Sequence, residues 1–401
     1  MRTQSRMGGN ARCALRWREW SACDHARRLL CASTLHSRTV ERTRSLVRAA
    51  RAIASALTIF VLTSGISFAD PKIPYPVPNI FRPDSTPADS ILRLSILVLV
   101  ICAVIFVIVF CLLVYSVTKY RERDANKGSE PPQVYGSDQV ELAWTVIPVL
   151  IVIVLVLASA RFTHSIQEAP RPSGAVDVIA IGHQFWWEFR YPKFGVVAAN
   201  ELHVPVSDPG HPTPTFLTLL SADTDHSFWV PQLAGKTDLI PNRVNHTWID
   251  PHETGIFLGQ CAQYCGVQHA KMLLRVYVDS QEDFERWIAQ QGKPAEAGKL
   301  AASDDPPAAG DVDRGRQIFE STACINCHAV AGTVADGRFG PDLTHLMSRD
   351  TIASGAAVNN RENLRNWIHN PDSIKPGSLM PPMQLNEQDL DALTSYLMTL
   401  R

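Results

Sequence analysis

Four side chains that bind soft metals lie close together in the sequence. They are Cys261, Cys265, His269 and Met272, in the spacing C-x3-C-x3-H-x2-M. Thiolate, thioether and imidazole ligands together favour copper among the common metals. A disulfide between the two cysteines and a structural zinc site are the alternatives. A disulfide leaves the histidine and the methionine unexplained, and structural zinc is bound by cysteine and histidine rather than by a thioether. The pattern therefore predicts a copper site that needs a second histidine from elsewhere.

That second histidine is His226, in the segment SADTDHSFWVP, whose β-forming residues end at a proline. Together with GQCAQYCGVQHAKM, this segment resembles the binuclear copper signature of cytochrome c oxidase subunit II. The resemblance implies two copper ions bridged by two cysteines. By position, the implied ligands are His226, Cys261, the backbone carbonyl of Gln263, Cys265, His269 and Met272.

The resemblance also assigns roles beside the copper ligands. Most members of the family carry a glutamate in place of Gln263, and that glutamate also binds a magnesium ion at the boundary with subunit I. Gln263 keeps an oxygen ligand without the charge. Asp223 matches an acid that faces subunit I, and Phe185 stands where the family has the tryptophan that receives electrons. We therefore expect electron transfer to involve Trp186, Trp187 and Asp223. The alternatives are a core or subunit-contact role for the aromatic residues and a turn role for the acid.

A second cofactor motif lies near the C-terminus. Cys324-Ile325-Asn326-Cys327-His328 is the C-x-x-C-H of covalent haem attachment, with His328 placed to bind the iron. With the segments around it, residues 311–401 resemble a class I cytochrome c domain. The resemblance implies Met380 as the second iron ligand, with Met383 as the competing candidate, and a His/Met pair raises the haem potential.

The same resemblance implies several supporting contacts. The carbonyl of Pro341 should bond to His328, and Gly315, Phe319 and Tyr396 should form the crossing of the terminal helices. A haem bound by two histidines, through His345 or His369, is the alternative to the methionine ligand.

The N-terminal part of the chain predicts export and membrane insertion. Residues 1–69 contain a basic segment, an apolar segment and a small-x-small site, which predict a leader and a secretory signal cleaved after Ala69. The basic part is long for a signal, which indicates a translation start assigned too far upstream, with a mitochondrial presequence as the alternative. Residues 70–170 predict a hairpin with membrane spans at about 91–117 and 142–160. The loop between the spans is rich in Lys and Arg, so the positive-inside rule places it in the cytoplasm and both flanking segments outside.

The remaining sequence divides into two domains and a linker. Residues 174–290 contain short apolar runs broken by Pro and Gly, which predict an antiparallel β-sandwich. The resemblance implies the cupredoxin version of that fold. Residues 291–310 have the composition of a linker, and residues 311–401 form the predicted all-α cytochrome domain. The expected fold is therefore a multidomain membrane protein.

Composition restricts the partners. The chain has 401 residues, a net charge of −1 and 19% charged residues, so nothing indicates nucleic-acid binding. Residues 311–401 carry 8 Lys and Arg against 11 Asp and Glu, without the lysine excess of soluble carrier cytochromes. We expect the linker to replace electrostatic steering by raising the effective concentration of the domain.

These features predict the electron-input subunit of a respiratory cytochrome c oxidase. It would carry electrons through a haem c and a binuclear copper centre to subunit I, where oxygen is reduced to water and protons are translocated. The expected partners are subunits I and III, an external cytochrome or bc-type complex as donor, and membrane lipid. The expected location is the bacterial inner membrane, with both cofactor domains periplasmic. The alternatives are a membrane-anchored electron carrier for another reductase and a scaffold or assembly protein.

Overall fold

The computed structural model describes residues 77–121, 130, 133, 135–208, 210–295 and 309–401. The predicted leader, residues 1–69, and most of the predicted linker, residues 291–310, lie outside this part of the chain. The described residues belong to one compact unit, Tyr75–Arg401.

Two long apolar helices come first. Helix α1 spans Thr86–Lys119 and helix α2 spans Asp138–Gln167, so they contain the predicted spans 91–117 and 142–160. Both are long and apolar enough to cross a membrane. Pro148 lies inside α2 without ending it, as a membrane helix tolerates. Most of their large apolar side chains are exposed. Such surfaces require lipid or neighbouring helices around them.

A β-sandwich follows, with two five-stranded sheets. The sheet orders are β3-β2-β1-β5-β8 and β4-β10-β9-β6-β7. The strands are β1 Val176–His183, β2 Trp186–Tyr191, β3 Val196–Ala199, β4 Glu201–Pro205, β5 Thr215–Ser221, β6 His226–Trp229, β7 Thr237–Leu239, β8 Asn245–Ile249, β9 Gly255–Cys261 and β10 Leu273–Asp279. We call residues 174–290 the sandwich domain.

The strands follow the burial pattern that the apolar runs predict. In β5, Thr215, Leu217 and Leu219 are buried while the residues between them are partly exposed, because alternate side chains of a strand point to opposite faces. Helix α3, Gln281–Gln291, adds Phe284 and Ile288 to the same core.

The expectation of a purely antiparallel sandwich is wrong. β1 pairs with β5 in parallel, and β4 pairs with β10 in parallel. Each of these pairs is joined by a long connection, which allows parallel pairing, whereas the tight turns elsewhere require antiparallel neighbours.

The C-terminal domain, residues 311–401, is mainly helical. Its helices are α4 Ala309–Ser321, α5 Cys324–Cys327, α6 Arg361–His369, α7 Pro371–Ile374 and α8 Glu387–Leu397. Two antiparallel strands of two residues each form a small hairpin; they are β11 Thr351–Ile352 and β12 Ala357–Val358. We call residues 350–358 the interdomain hairpin.

The predicted crossing of the terminal helices is confirmed. The rings of Phe319 and Tyr396 lie 5.7 Å apart. A Cβ added at Gly315 would lie 2.0 Å from the backbone oxygen of Ala392. The two helices therefore touch through backbone atoms, which only a glycine at this position allows.

Gly315→Ala tests this close approach. Alanine favours a helix over glycine by about 1 kcal/mol, but the backbone of Ala392 cannot rotate out of the way. We expect a net loss of about 1–3 kcal/mol in the free energy of unfolding of the C-terminal domain, measured by native-state hydrogen exchange of amides in α8. Gly292→Ala is the control, because its nearest neighbour would be an ordinary 3.5 Å away. Equal stabilities of the two variants would contradict the contact.

Candidate metal centres

The predicted copper ligands converge at one end of the sandwich. His226 begins β6, Cys261 ends β9, and Met272 immediately precedes β10. Cys265 and His269 lie on the connection between β9 and β10, which includes a 3-10 turn at His269–Lys271. Adjacent strand ends therefore bring together residues that are far apart in sequence, and a rigid sheet holds them in place.

The donor atoms of these residues are neighbours. The Sγ atom of Cys265 lies 3.9 Å from Cys261 Sγ, 3.7 Å from His269 Nδ1 and 3.8 Å from Met272 Sδ. Cys261 Sγ lies 3.9 Å from His226 Nδ1 and 3.1 Å from the carbonyl oxygen of Gln263. All six predicted donors therefore surround one small volume.

This arrangement fits bound metal better than a disulfide. A disulfide needs sulfurs about 2.05 Å apart, whereas both thiols are free. His226, Cys261, Cys265 and Met272 are buried, and a buried cluster of soft donors that includes a thioether suits copper. The side chain of Gln263 is exposed, so only its carbonyl points into the cluster.

The two thiols differ in acidity. The hydrogen bond that they share lowers the pKa of Cys261 and raises the pKa of Cys265. Hydrogen bonding to His226 also lowers the pKa of Cys261. The site therefore stabilises a thiolate, which is the form that binds a metal.

Asp223 holds His226 in orientation. Its Oδ1 lies 2.8 Å from His226 Nε2, and it accepts hydrogen bonds from the backbone N–H groups of Gln184 and Thr224. Burial opposes protonation of His226, but the hydrogen bonds and charge interactions with Asp223 and Cys261 together outweigh it and raise the pKa of the imidazole. Because Nε2 is engaged, Nδ1 faces Cys261. The sequence left open a turn role for Asp223. Its hydrogen bond from Thr224 fits that role, and its bond to His226 adds an orienting role.

The aromatic residues after β1 divide between two surroundings. Trp187 is fully buried, and its Nε1 donates to the carbonyl oxygen of Met272 at 3.4 Å. Trp186 stacks on His183, with ring centroids 4.2 Å apart. Phe185 is also buried, and its ring packs so close to Gly266 that a Cβ there would lie 3.0 Å from it.

The predicted haem ligands line one apolar cavity. Cys324, Cys327, His328, Met380 and Met383 all contribute to its wall. His328 Nδ1 lies 2.7 Å from the carbonyl oxygen of Pro341, which confirms that predicted contact. A Cβ added at Gly340 would lie 2.6 Å from the His328 ring. The backbone therefore holds the imidazole with Nδ1 engaged and Nε2 available, which fits an iron ligand.

The two methionines differ in their surroundings. Met383 packs against the core of the C-terminal domain, and its backbone N–H donates to the carbonyl oxygen of Ile368. Met380 is partly exposed and is not part of that core. Neither His345 nor His369 belongs to the residues that line the cavity. Moreover, His345 Nε2 is bonded to the carbonyl oxygen of Lys293.

The cavity has a wall from the sandwich domain that the sequence did not predict. Gln184, Phe185 and Trp186 line it opposite the C-terminal domain. Gln184 Nε2 also donates to the carbonyl oxygen of Cys265 at 2.6 Å. We call residues 184–186 the shared wall, because it contacts both candidate centres. The signal for it in the sequence was the expected electron-transfer role of the aromatic residues at positions 185 and 186.

Comparison with known proteins agrees with this architecture. The family models described as the transmembrane and periplasmic domains of cytochrome c oxidase subunit II match residues 75–162 and 210–278, and the cytochrome c model matches residues 312–401. "Cytochrome c oxidase subunit 2" of Alkalihalophilus pseudofirmus is 34% identical over 80% of this chain and 90% of that protein. The chain belongs to the cytochrome c oxidase subunit II family.

Further relatives carry the same name. "Cytochrome c oxidase subunit 2" of Bacillus sp. (strain PS3) is 33% identical over 70% of this chain and 80% of that protein. A solved structure of the periplasmic domain of subunit II from Bradyrhizobium japonicum is 28% identical, covers 30% of this chain and 95% of its own, and has a TM-score of 0.28. By its family models and its named relatives, the chain is a membrane-anchored member of an oxidase complex, with domains of the copper-binding and haem-binding families.

Asp223→Asn tests the orientation of His226. An amide is a weaker acceptor for the imidazole N–H, and loss of such a partner typically lowers metal affinity by about 10–100-fold. We expect a loss of copper affinity in that range, measured by competition with a chelator. Asp225→Asn, two residues away on an exposed side chain, is the matched control and should bind copper normally. If both variants bind copper equally well, Asp223 does not orient the ligand.

Proposed function

We propose that this chain is the electron-input subunit of a cytochrome c oxidase, receiving electrons at a haem c and delivering them through a binuclear copper centre to subunit I. The observation that carries the proposal is the shared wall. Gln184 lines the haem cavity and donates a hydrogen bond to the carbonyl of a predicted copper ligand. The two candidate centres therefore meet through one residue.

The proposed copper ligands are His226, Cys261, the carbonyl of Gln263, Cys265, His269 and Met272. When bound, such a centre takes up and releases single electrons. Cys261 and Cys265 would hold the copper together with the histidines, because each sulfur lies within 4 Å of the other and of a histidine Nδ1. The strands fix these donors, so little of the protein has to move when the charge changes.

The proposed haem attachment is through the thiols of Cys324 and Cys327, with His328 and Met380 as iron ligands. Cys324 belongs to α5 beside the cavity, and burial raises the pKa of its thiol. The lining of the cavity is mostly apolar, which suits a haem, and the carbonyl of Pro341 holds the imidazole orientation. Trp186, Trp187 and Asp223 are the proposed electron-transfer residues. Trp186 lies at the haem cavity, and Trp187 contacts the backbone of Met272.

The proposed topology places both cofactor domains on the periplasmic side of a bacterial inner membrane. Helices α1 and α2 cross the membrane, with the basic loop in the cytoplasm. The exposed apolar faces of these helices suit contact with subunit I and lipid. The exposed amide of Gln263 offers a neutral oxygen to a magnesium ion shared with subunit I. Subunit III and an external cytochrome or bc-type complex complete the proposed set of partners.

The second candidate function is a membrane-anchored carrier for another reductase. The two candidate cofactor sites suit this function as well. The protein that binds the chain therefore distinguishes an oxidase subunit from a carrier. Purification of the chain in mild detergent should recover a large multi-span haem protein that consumes oxygen. Recovery of the chain alone, with its haem and copper but no oxygen consumption, would favour the carrier.

Cys261→Ser tests the copper centre. A serine hydroxyl is a hard, neutral donor that replaces a soft thiolate poorly, so we expect loss of the binuclear copper absorption and EPR signals while the haem spectrum remains. Cys111→Ser, an exposed cysteine of α1, is the matched control and should keep both signals. A single copper ion per chain in the unmodified protein would disprove the binuclear assignment.

Met380→Ala tests the second iron ligand. Loss of the thioether should lower the haem potential by a measurable part of the roughly 0.8 V range that axial ligands span. The weak sulfur-to-iron absorption band should also disappear. Met383→Ala is the matched comparison, because this methionine lines the same cavity. If only Met383→Ala changes the band and the potential, the ligand is Met383.

A further inference from the structure

The C-terminal domain contacts the sandwich domain through buried polar groups. Glu201, the first residue of β4, has only 4% of its surface exposed. Its carboxylate accepts hydrogen bonds from the backbone N–H and the hydroxyl of Thr351, both at 3.0 Å, and from the backbone N–H of Asp350 at 3.2 Å. Burial raises the pKa of Glu201. One carboxylate thus holds the start of the interdomain hairpin.

Lys375 makes the reciprocal contact from the C-terminal domain. It is also 4% exposed. Its Nζ donates to the backbone oxygen of Phe185, in the shared wall, at 2.8 Å and to that of Ala353 at 3.4 Å. A single amino group therefore ties the interdomain hairpin to the aromatic residues beside the predicted copper ligands. Burial lowers the pKa of this lysine to about 7.

Strand β10 extends the same contact. Arg275 Nη1 donates to the Thr351 hydroxyl at 2.8 Å, and the Tyr277 hydroxyl donates to Asp350 Oδ2 at 2.6 Å. Ser354 Oγ donates to the carbonyl oxygen of Leu273, the first residue of β10, at 2.8 Å. Because β4 and β10 are paired neighbours, these bonds hold the hairpin across two adjacent strands.

Buried charged groups restrict an interface to one arrangement. A buried ionised group is costly unless hydrogen bonds satisfy it. If the two domains shifted by a few ångströms, Glu201 and Lys375 would lose their partners while still buried. An apolar contact of the same area would tolerate such sliding. The docked position is therefore defined by these two residues more than by the area of contact.

This docked position keeps the shared wall closed over the haem cavity. Phe185 and Trp186 line the cavity, and Lys375 fixes the backbone of Phe185. The side chain of Gln184, the preceding residue, donates a hydrogen bond to the backbone carbonyl of Cys265. The ring of Phe185 also packs against Gly266, the residue after that ligand. The cavity and the predicted copper ligands are therefore separated by the shared wall alone. The distance across it depends on how the C-terminal domain is docked on the sandwich domain.

We propose that Glu201 and Lys375 are positioning residues for electron transfer from the haem to the copper centre. They hold the C-terminal domain on the sandwich domain, so that this transfer occurs in one fixed arrangement without repeated docking. This inference rests on the proposed function. It also predicts how the rate responds to salt. Buried contacts are screened much less than exposed ones, so the rate should not depend on ionic strength.

The test measures the rate of electron transfer from haem to copper in the intact oxidase, after rapid photochemical reduction of the haem. The variants are Glu201→Gln and Lys375→Met. A misplacement of 1 Å can cost up to about 100-fold in a bond-making reaction, and electron transfer falls off less steeply with distance. We expect the rate to fall about tenfold or more in both variants. The copper and haem spectra and the haem potential should remain unchanged, which a general loss of folding would not allow.

Matched controls carry the same changes at exposed positions. Glu362→Gln lies on α6 of the C-terminal domain, and Lys193→Met lies in the sandwich domain. Both should transfer electrons at the unmodified rate. If the variants that remove these two charges fail to assemble, Thr351→Val and Thr351→Ser replace them. The valine variant loses the hydroxyl that bonds to Glu201 and should be slow, whereas the serine variant keeps it and should restore the rate.

Two results would overturn the inference. One is a variant rate within about twofold of the unmodified rate while both spectra are intact. The other is a steep change in the unmodified rate between about 0.01 M and 1 M salt, over which the Debye length falls from about 30 Å to 3 Å. Absence of the copper and haem signatures from the unmodified oxidase would overturn the proposed function itself, and it is measured before the variants are compared.

Discussion

The constraint on which the structure depends is the approach of two thiols to 3.9 Å without a disulfide bond between them. Cys261 ends β9, so the strand fixes its sulfur. Cys265 lies on the loop that follows, and this loop has to fold back to bring the second sulfur close to the first. His226, from the neighbouring strand, supplies an imidazole on one side. Met272, at the start of the next strand, supplies a thioether on the other. The sandwich is the scaffold that holds these donors together.

Orientation of the donors requires a second set of contacts around them. Asp223 engages one nitrogen of His226 and leaves the other facing the sulfurs. Trp187 and Gln184 donate to the carbonyls of Met272 and Cys265. Each of these bonds fixes a ligand through its far side, which is how proteins set the direction of metal ligands. The aromatic residues after β1 therefore serve the site through hydrogen bonds and packing together.

The sequence predicted the features that have a local pattern. The ligand types and their spacing identified the candidate copper cluster and the haem motif. Apolar length identified two helices, and alternation identified a sandwich. The parallel pairing of β1 with β5 was missed, because strand order depends on long connections that leave no periodic signal. Glu201 and Lys375 were missed for a related reason. A lone charged residue gives no pattern, and Lys375 bonds a residue 190 positions away.

The buried docking contact changes the role expected of the linker. A flexible tether raises the effective concentration of a domain but does not select one orientation. The C-terminal domain also lacks the lysine excess that would orient it by long-range attraction. Orientation must therefore come from the contact itself, and Glu201 and Lys375 supply it through directional hydrogen bonds. The buried groups determine where on the sandwich domain the haem cavity closes. The replacement of the family's entry tryptophan by Phe185 is then understandable. This position is covered by the chain's own C-terminal domain, so its side chain has to pack against that domain and Gly266 rather than receive a diffusing partner.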